Sequence, residues 1–332
     1  MKFTLIICTY KRPQPIIDLL ESVKVQRNYP DEILIIDGSP DDKTKLVLEQ
    51  KNYTGLIYYK VSPEDRGLTR QRNFGISKIH PDSEVVFFLD DDTILEETYF
   101  TEILKTYKEY PNALGVGGYI TNEVEWQKVG KDYKVRQNDF SYDGWVRKEA
   151  GRFIWRKFCF LDADKPPGFF PEFSHGRSIS FLPPSGKTYR VEQLMGGVSS
   201  FKVSVFNTLK FSTFFEGYGL YEDADFTLRL SKLGELYVNT NAGLGHFHDS
   251  SGRPNQYQYG KMVVRNGWYV WRVKFPRPSF KAIVKWHLIT LILTGIRFVN
   301  VFTTSKRKEA FTEALGRTVG WFKLFFNAPK QI

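Results

Sequence analysis

Three consecutive aspartates, Asp90-Asp91-Asp92, follow directly on the apolar run Val85-Val86-Phe87-Phe88-Leu89. Adjacent carboxylates repel one another, and a divalent cation is the simplest relief. In extended chain, residues two apart face the same side, so Asp90 and Asp92 address one ligand together. The other reading is a solvated acidic turn in which Asp92 caps a helix at Thr93. A second acidic cluster, Glu222-Asp223-Ala224-Asp225, follows Tyr218-Gly219-Leu220-Tyr221. Its acids either complement the dipole of a helix start or hold a general base near a reacting hydroxyl. His246 and His248 lie two apart in a loop after Gly243-Leu244-Gly245, beside Asp249. They read as satisfied structural histidines or as a source of one metal ligand.

The elements that must position these groups alternate. Residues 2–8, 32–37, 56–61 and 84–89 read as strands, and 14–25, 41–50 and 67–79 as helices, with Pro13 starting the first. This rhythm implies a parallel sheet covered on both faces, whose ligands bind beyond the carboxyl ends of the strands. Those ends carry Thr9-Tyr10-Lys11-Arg12, Asp37-Gly38-Ser39, Glu64-Asp65-Arg66-Gly67 and the aspartate triplet, so four polar loops converge on one edge. Residues 119–184 lose this regularity and read as an inserted element that shapes a pocket. The chain becomes compact again around Met195–Ser200, and 221–233 reads as a short helix ending near Gly234.

Composition sets the class. The chain has 332 residues, 42% of them hydrophobic, and two well-separated cysteines, Cys8 and Cys159. That argues against a disulfide framework or a thiolate metal site and points to a reducing compartment. The N-terminus turns polar at Thr9, which gives no export signal. The net charge of +10 is uneven: residues 253–332 hold fifteen Lys or Arg against Glu309 and Glu313, a sum of +13 that leaves −3 for the rest. A basic tail interleaved with aromatics suits an anionic lipid surface, although single-stranded nucleic acid also favours such a mixture. The apolar run 282–302 is interrupted by Lys285, His287, Arg297 and Asn300, and its uncharged stretch is too short for a bilayer. It reads as an in-plane interfacial helix, with a helix packed on the body or a span as alternatives.

In combination these motifs resemble the family 2 glycosyltransferases. The pieces appear in family order: Cys8-Thr9-Tyr10-Lys11-Arg12-Pro13, Asp37-Gly38-Ser39, the run from Gly67 to Gly75, Asp90–Asp92, Glu222-Asp223 and the His246 segment. The resemblance implies an α/β fold of GT-A type, a Rossmann-like, mixed but mostly parallel sheet flanked by helices, carrying a basic helical C-terminal extension. It implies a catalytic domain over 1–250, with a nucleotide-binding half (1–118) and an acceptor half (119–250), followed by the extension at 251–332. It places Thr9, Arg12 and Asp37 around the base and ribose of a nucleotide-sugar donor, and Gly67, Arg72 and Asn73 in the nucleotide pocket. Asp90 falls by the ribose, Asp92 binds Mg2+ or Mn2+ with His246 as third ligand and His248 in reserve, and Asp223 is the base of an inverting displacement. Gln71 stands where the family usually has a small residue, and the Gln-x-x-Arg-Trp signature of processive members is absent.

The expected activity is transfer of one sugar per cycle to a saccharide or lipid-linked acceptor, in surface polysaccharide assembly. The expected location is cytoplasmic, peripheral on the inner face of the cell membrane, with no nucleic acid partner. A nucleotidyltransferase leaves the pairing of Glu222-Asp223 with His246 unexplained. A nicotinamide-dependent dehydrogenase lacks its glycine fingerprint after the first strand. A non-catalytic module that binds sugar nucleotides or membranes is the third alternative.

Overall fold

The computed structural model describes residues 1–215, 217–248 and 255–330. Contacts divide the chain into two compact units, one of residues 1–124 and 179–252, the other of 125–178 and 253–332. In chain order the first unit opens with β1 (Phe3–Thr9), α1 (Pro13–Lys24), β2 (Glu32–Asp37), α2 (Lys43–Glu49), β3 (Leu56–Lys60) and α3 (Leu68–Ile76). It continues through β4 (Val85–Asp90), β5 (Thr93–Leu95), α4 (Tyr99–Glu109) and β6 (Ala113–Ile120). The second unit then contributes β7 (Gln127–Lys128), β8 (Asp139–Tyr142), β9 (Trp145–Lys148) and α5 (Gly151–Phe158). The first unit resumes in β10 (Thr188–Val191), β11 (Val198–Lys202), α6 (Glu222–Leu230) and β12 (Glu235–His246). The second ends in α7 (Gln256–Lys274), α8 (Phe280–Thr303) and α9 (Arg307–Asn327).

Among the described residues, the large sheet runs β10-β12-β6-β11-β4-β1-β2-β3, with β5 paired to β12. The four strands β3, β2, β1 and β4 are parallel. Strands covered on both faces read as continuous apolar runs rather than alternations, and β2 is buried at every position. Helix α1 buries Ile16, Leu19, Leu20 and Val23 on one face, the spacing of an amphipathic helix on a sheet. Pairing sets Thr9 level with Asp37 and Cys8 level with Asp90, so three polar strand ends meet at one edge.

Two antiparallel additions complete that edge. Strand β11 lies between β4 and β6, and the Asp90 amide donates to the Gly197 carbonyl at 3.1 Å. Strand β5 pairs with β12 so that Thr93 faces His246. These pairings correct two expectations. No helix begins at Thr93; Thr93-Ile94-Leu95 is a strand, as two β-branched residues favour. His246 closes a strand rather than sitting in a loop, because β12 continues through Gly243 and Gly245. Asp249 lies outside the described residues.

In the second unit, β7, β9 and β8 form a small antiparallel sheet. Arg177 is buried there, bonded to Glu149 and Asp162 and stacked over Phe140 and Phe153. Residues 125–178 group with the C-terminal helices. Helices α7 and α9 approach closely enough that a Cβ on Gly260 would lie 2.2 Å from the Glu313 carbonyl oxygen. One on Gly316 would lie 2.1 Å from that of Tyr257. Trp271 of α7 and Trp286 of α8 stack at 5.8 Å, both buried. The apolar run therefore belongs to a continuous 24-residue helix, long and apolar enough by length and composition to cross a membrane.

Candidate active site

The aspartate triplet at the tip of β4 divides by alternation. Asp91 is buried; Thr9 Oγ1 donates to its Oδ2 at 2.6 Å and Arg12 Nη1 to its Oδ1 at 2.9 Å. Burial pushes its carboxyl up to about 6, against the pull of Arg12 and Thr9. Asp90 and Asp92 converge on His246, one donor atom from each residue lying within 4.8 Å of the others, and Asp92 Oδ2 also lies 3.4 Å from Arg12 Nη1. Gly197 makes room for Asp90, since a Cβ there would lie 2.1 Å from the Asp90 carboxyl carbon.

His246 is held by its backbone and by both ring nitrogens. Its amide donates to Asn122 Oδ1 at 2.9 Å, and the next amide, of Phe247, donates to the Asp92 carbonyl at 2.9 Å. Its Nε2 lies 3.1 Å from Asp92 Oδ1 and its Nδ1 3.2 Å from Glu123 Oε1. Burial pushes the imidazole pKa down, but the Asp92 and Glu123 carboxylates outweigh it and lift the value to about 10. His248 places its Nε2 2.8 Å from the same Glu123 oxygen. Two carboxylates and an imidazole on pinned backbone form a donor set that fits a divalent cation. Asp90, Asp92 and His246 would hold it, which adds Asp90, expected by the ribose, to the expected ligands Asp92 and His246.

Asp223 opens α6, where Tyr221 turns the chain through a positive φ of 71°. Its Oδ1 accepts from the Ala224 amide at 2.7 Å and its Oδ2 from the Gly196 amide at 3.1 Å. Burial raises its pKa, opposed by those two amides. Each oxygen keeps a lone pair for a further proton. Because Gly196 and Gly197 are adjacent, the carboxylate of Asp223 and that of Asp90 are set by consecutive residues of one segment. Glu222, beside it, is buried and accepts from Arg72 Nη1 at 2.6 Å. Arg72 Nη2 also lies 3.7 Å from Asp90 Oδ1, and the guanidinium sits over Phe88 and Phe211. The Glu222 carboxyl is pushed up by burial, with Arg72 opposing.

The remaining expected residues shape this edge. Asp37 is fully buried, accepting from the Ser39 amide at 2.7 Å and the Tyr58 hydroxyl at 2.9 Å. Gly67 caps α3 at φ 108°, where a side chain would be strained and a Cβ would meet the Gly217 amide nitrogen at 3.3 Å. Asn73 makes a reciprocal pair with the Phe211 backbone at 2.8 and 3.0 Å. Gln71 donates to the carbonyls of Ile36 and Thr9 at 2.7 and 3.1 Å, and its amide packs on Gly38. A glycine at 38 thus accommodates a larger residue at 71. Sequence reasoning missed Glu123, which carries no motif and meets His246 from 123 residues away. It also missed the anchoring of Asp91. The Gly196-Gly197 pair was a signal for close approach that pattern reading left unused.

The sheet order and this site define an α/β fold with a polar edge beyond the carboxyl ends of its parallel strands, and the comparisons narrow it. The model of glycosyl transferase family 2 matches residues 4–185, more than half the chain, and the chain belongs to that family. The O-antigen chain rhamnosyltransferase RfbN of Salmonella typhimurium is 32% identical over 119 residues, 36% of this chain and 37% of that protein. The match therefore spans little more than a third of that relative's length. A crystal structure of S. aureus TarS superposes with a TM-score of 0.51 at 15% identity, covering 97% of this chain and 80% of that one. GalNAc-T7, crystallised with UDP, GalNAc and Mn2+, superposes with a TM-score of 0.52 at 17% identity, covering 79% of this chain and 47% of that one. The fold is the GT-A fold.

Proposed function

We propose that this protein is an inverting, metal-dependent glycosyltransferase. It moves one sugar from a nucleotide-sugar donor to a saccharide or lipid-linked acceptor in surface polysaccharide assembly. One observation carries the reading: Asp90, Asp92 and His246 form a three-donor cluster, and Asp223 is bonded to the segment that backs Asp90. The oxygens suit Mg2+ or Mn2+, and the imidazole favours Mn2+; the Mn2+ and UDP bound to GalNAc-T7 support the same choice. When bound, the cation neutralises charge on the departing diphosphate. Asp223 takes the proton of the acceptor hydroxyl, and its raised proton affinity suits it to that role. Attack from the face opposite the leaving group inverts the anomeric centre. Thr9, Arg12, Asp37, Gly67, Arg72 and Asn73 build the edge that receives the donor's nucleotide.

The O-antigen relative supports the polysaccharide setting. The basic tail supports a cytoplasmic enzyme attached peripherally to the anionic inner face of the cell membrane. The test is a thermal-shift screen of nucleotide sugars with and without Mn2+, since a bound donor stabilises the fold. Turnover of Asp223→Asn on the donor so found follows. Retained donor binding with lost transfer supports the reading, and unchanged transfer rules out Asp223 as base. A donor-binding protein with no transfer in either form is the non-catalytic module.

A further inference from the structure

We propose that α8 and α9 form an in-plane membrane anchor, with two adjoining apolar stripes seated in an anionic lipid surface and α8 lying along the bilayer rather than across it. This deepens the peripheral-membrane reading above and rests on it. On α8, Phe280, Leu288, Leu291, Val299 and Phe302 are exposed, and at about 100° per residue they share one face. On α9, Phe311, Leu315, Phe322 and Phe326 are exposed within an arc of about 60°. Phe302 is 83% exposed and Phe326 91%. The stripes adjoin where the rings of Phe298 and Phe311 meet at 6.3 Å. Apolar surface this contiguous on a soluble face marks an interaction site.

Charge identifies the occupant. Lys281, Arg307, Lys308 and Lys323 are exposed on the same two helices, and Lys306 is exposed at the start of the second. Of the tail's two acids, Glu313 is buried and taken up by Arg297 and Arg317, and Glu309 is exposed 3.9 Å from Lys306, so the exposed cations remain in excess. A second copy would set these cations against each other, whereas anionic headgroups satisfy them. The opposite face of α8 packs on protein rather than lipid, which weighs against a span. Ala282, Trp286 and Ile289 are buried, and Lys285 lies over the Phe173 ring at 4.3 Å. Crossing a bilayer would strip that face from the protein.

The test is flotation of the full chain with vesicles of phosphatidylcholine alone or mixed with phosphatidylglycerol, followed by alkaline extraction. Flotation with the anionic vesicles only, weakened by salt and released by extraction, is expected. Replacing Lys306, Arg307 and Lys308 by Gln lowers partitioning on the order of 100-fold. The exposed-site variant L291E/F302E/F326E, with unchanged circular dichroism, stops floating. Failure of the unmodified chain to float overturns the membrane reading itself. Flotation retained by the stripe variant overturns the stripe assignment while leaving peripheral binding in place. Retention after extraction establishes a span and overturns the in-plane arrangement. A lipid-free dimer split by the stripe variant makes a second copy the occupant.

Discussion

Two neighbouring glycines give the sharpest test of the site. A Cβ at Gly197 would lie 2.1 Å from both Cγ and Oδ2 of Asp90. Carbon contacts closer than van der Waals range are not sustained, so Gly197→Ala displaces the Asp90 carboxylate by roughly 1 Å. Asp90 is 39% exposed and has room to move, so unfolding stability falls by only about 1–2 kcal/mol. A 1 Å misplacement at the reacting centre costs about 100-fold in rate. A Cβ at Gly196 would instead lie 2.6 Å from Glu222 Oε1 and 2.7 Å from Arg72 Nη1, a buried pair with nowhere to go. Gly196→Ala therefore destabilises by about 3–5 kcal/mol, the cost of breaking such a pair. Chemical denaturation, Mn2+ calorimetry and donor turnover on the two variants separate these effects. Wild-type Mn2+ affinity and turnover in Gly197→Ala, with its fold intact, would refute the placement of Asp90 at the cation.

Glu123→Gln removes the carboxylate that orients His246, and Mn2+ affinity measured by calorimetry is expected to fall about 10- to 100-fold. His248→Ala is expected to change that affinity no more than about twofold, leaving His246 as the ligand. Asp91 holds its proton more tightly folded than unfolded, so its contribution is full below about pH 4 and is lost as pH rises through about 6. The difference amounts to about 3 kcal/mol at most. Asp91→Asn should flatten that part of the melting-temperature profile relative to wild type, and parallel profiles would refute the assignment. Burial raises the pKa of Asp223, so the acid limb of the pH–rate profile should lie above the ordinary carboxylate range. A limb at or below that range would assign the base to another group.

The parallel half of the fold was legible because its signals are local. Apolar runs bounded by polar loops located β1 through β4 within a residue or two, and the period of two separated Asp91 from Asp90 and Asp92. What stayed hidden depends on partners distant in sequence. Thr93 to Leu95 is a strand only because β12 returns beside it, and the same pairing turns an expected histidine loop into a strand end. Residues 125–178 gave no period, and nothing in their composition tied them to α7–α9. Glu123 had no local pattern to distinguish it from other loop acids.

The pairing of β5 with β12 also orders events in the life of the chain. Asp92 leaves the ribosome long before its imidazole partner, which follows 154 residues later. A nascent or truncated polypeptide ending short of β12 carries the acids of the cluster without its nitrogen ligand. The three-donor cluster proposed to hold a cation is therefore complete only once β12 has paired beside β5.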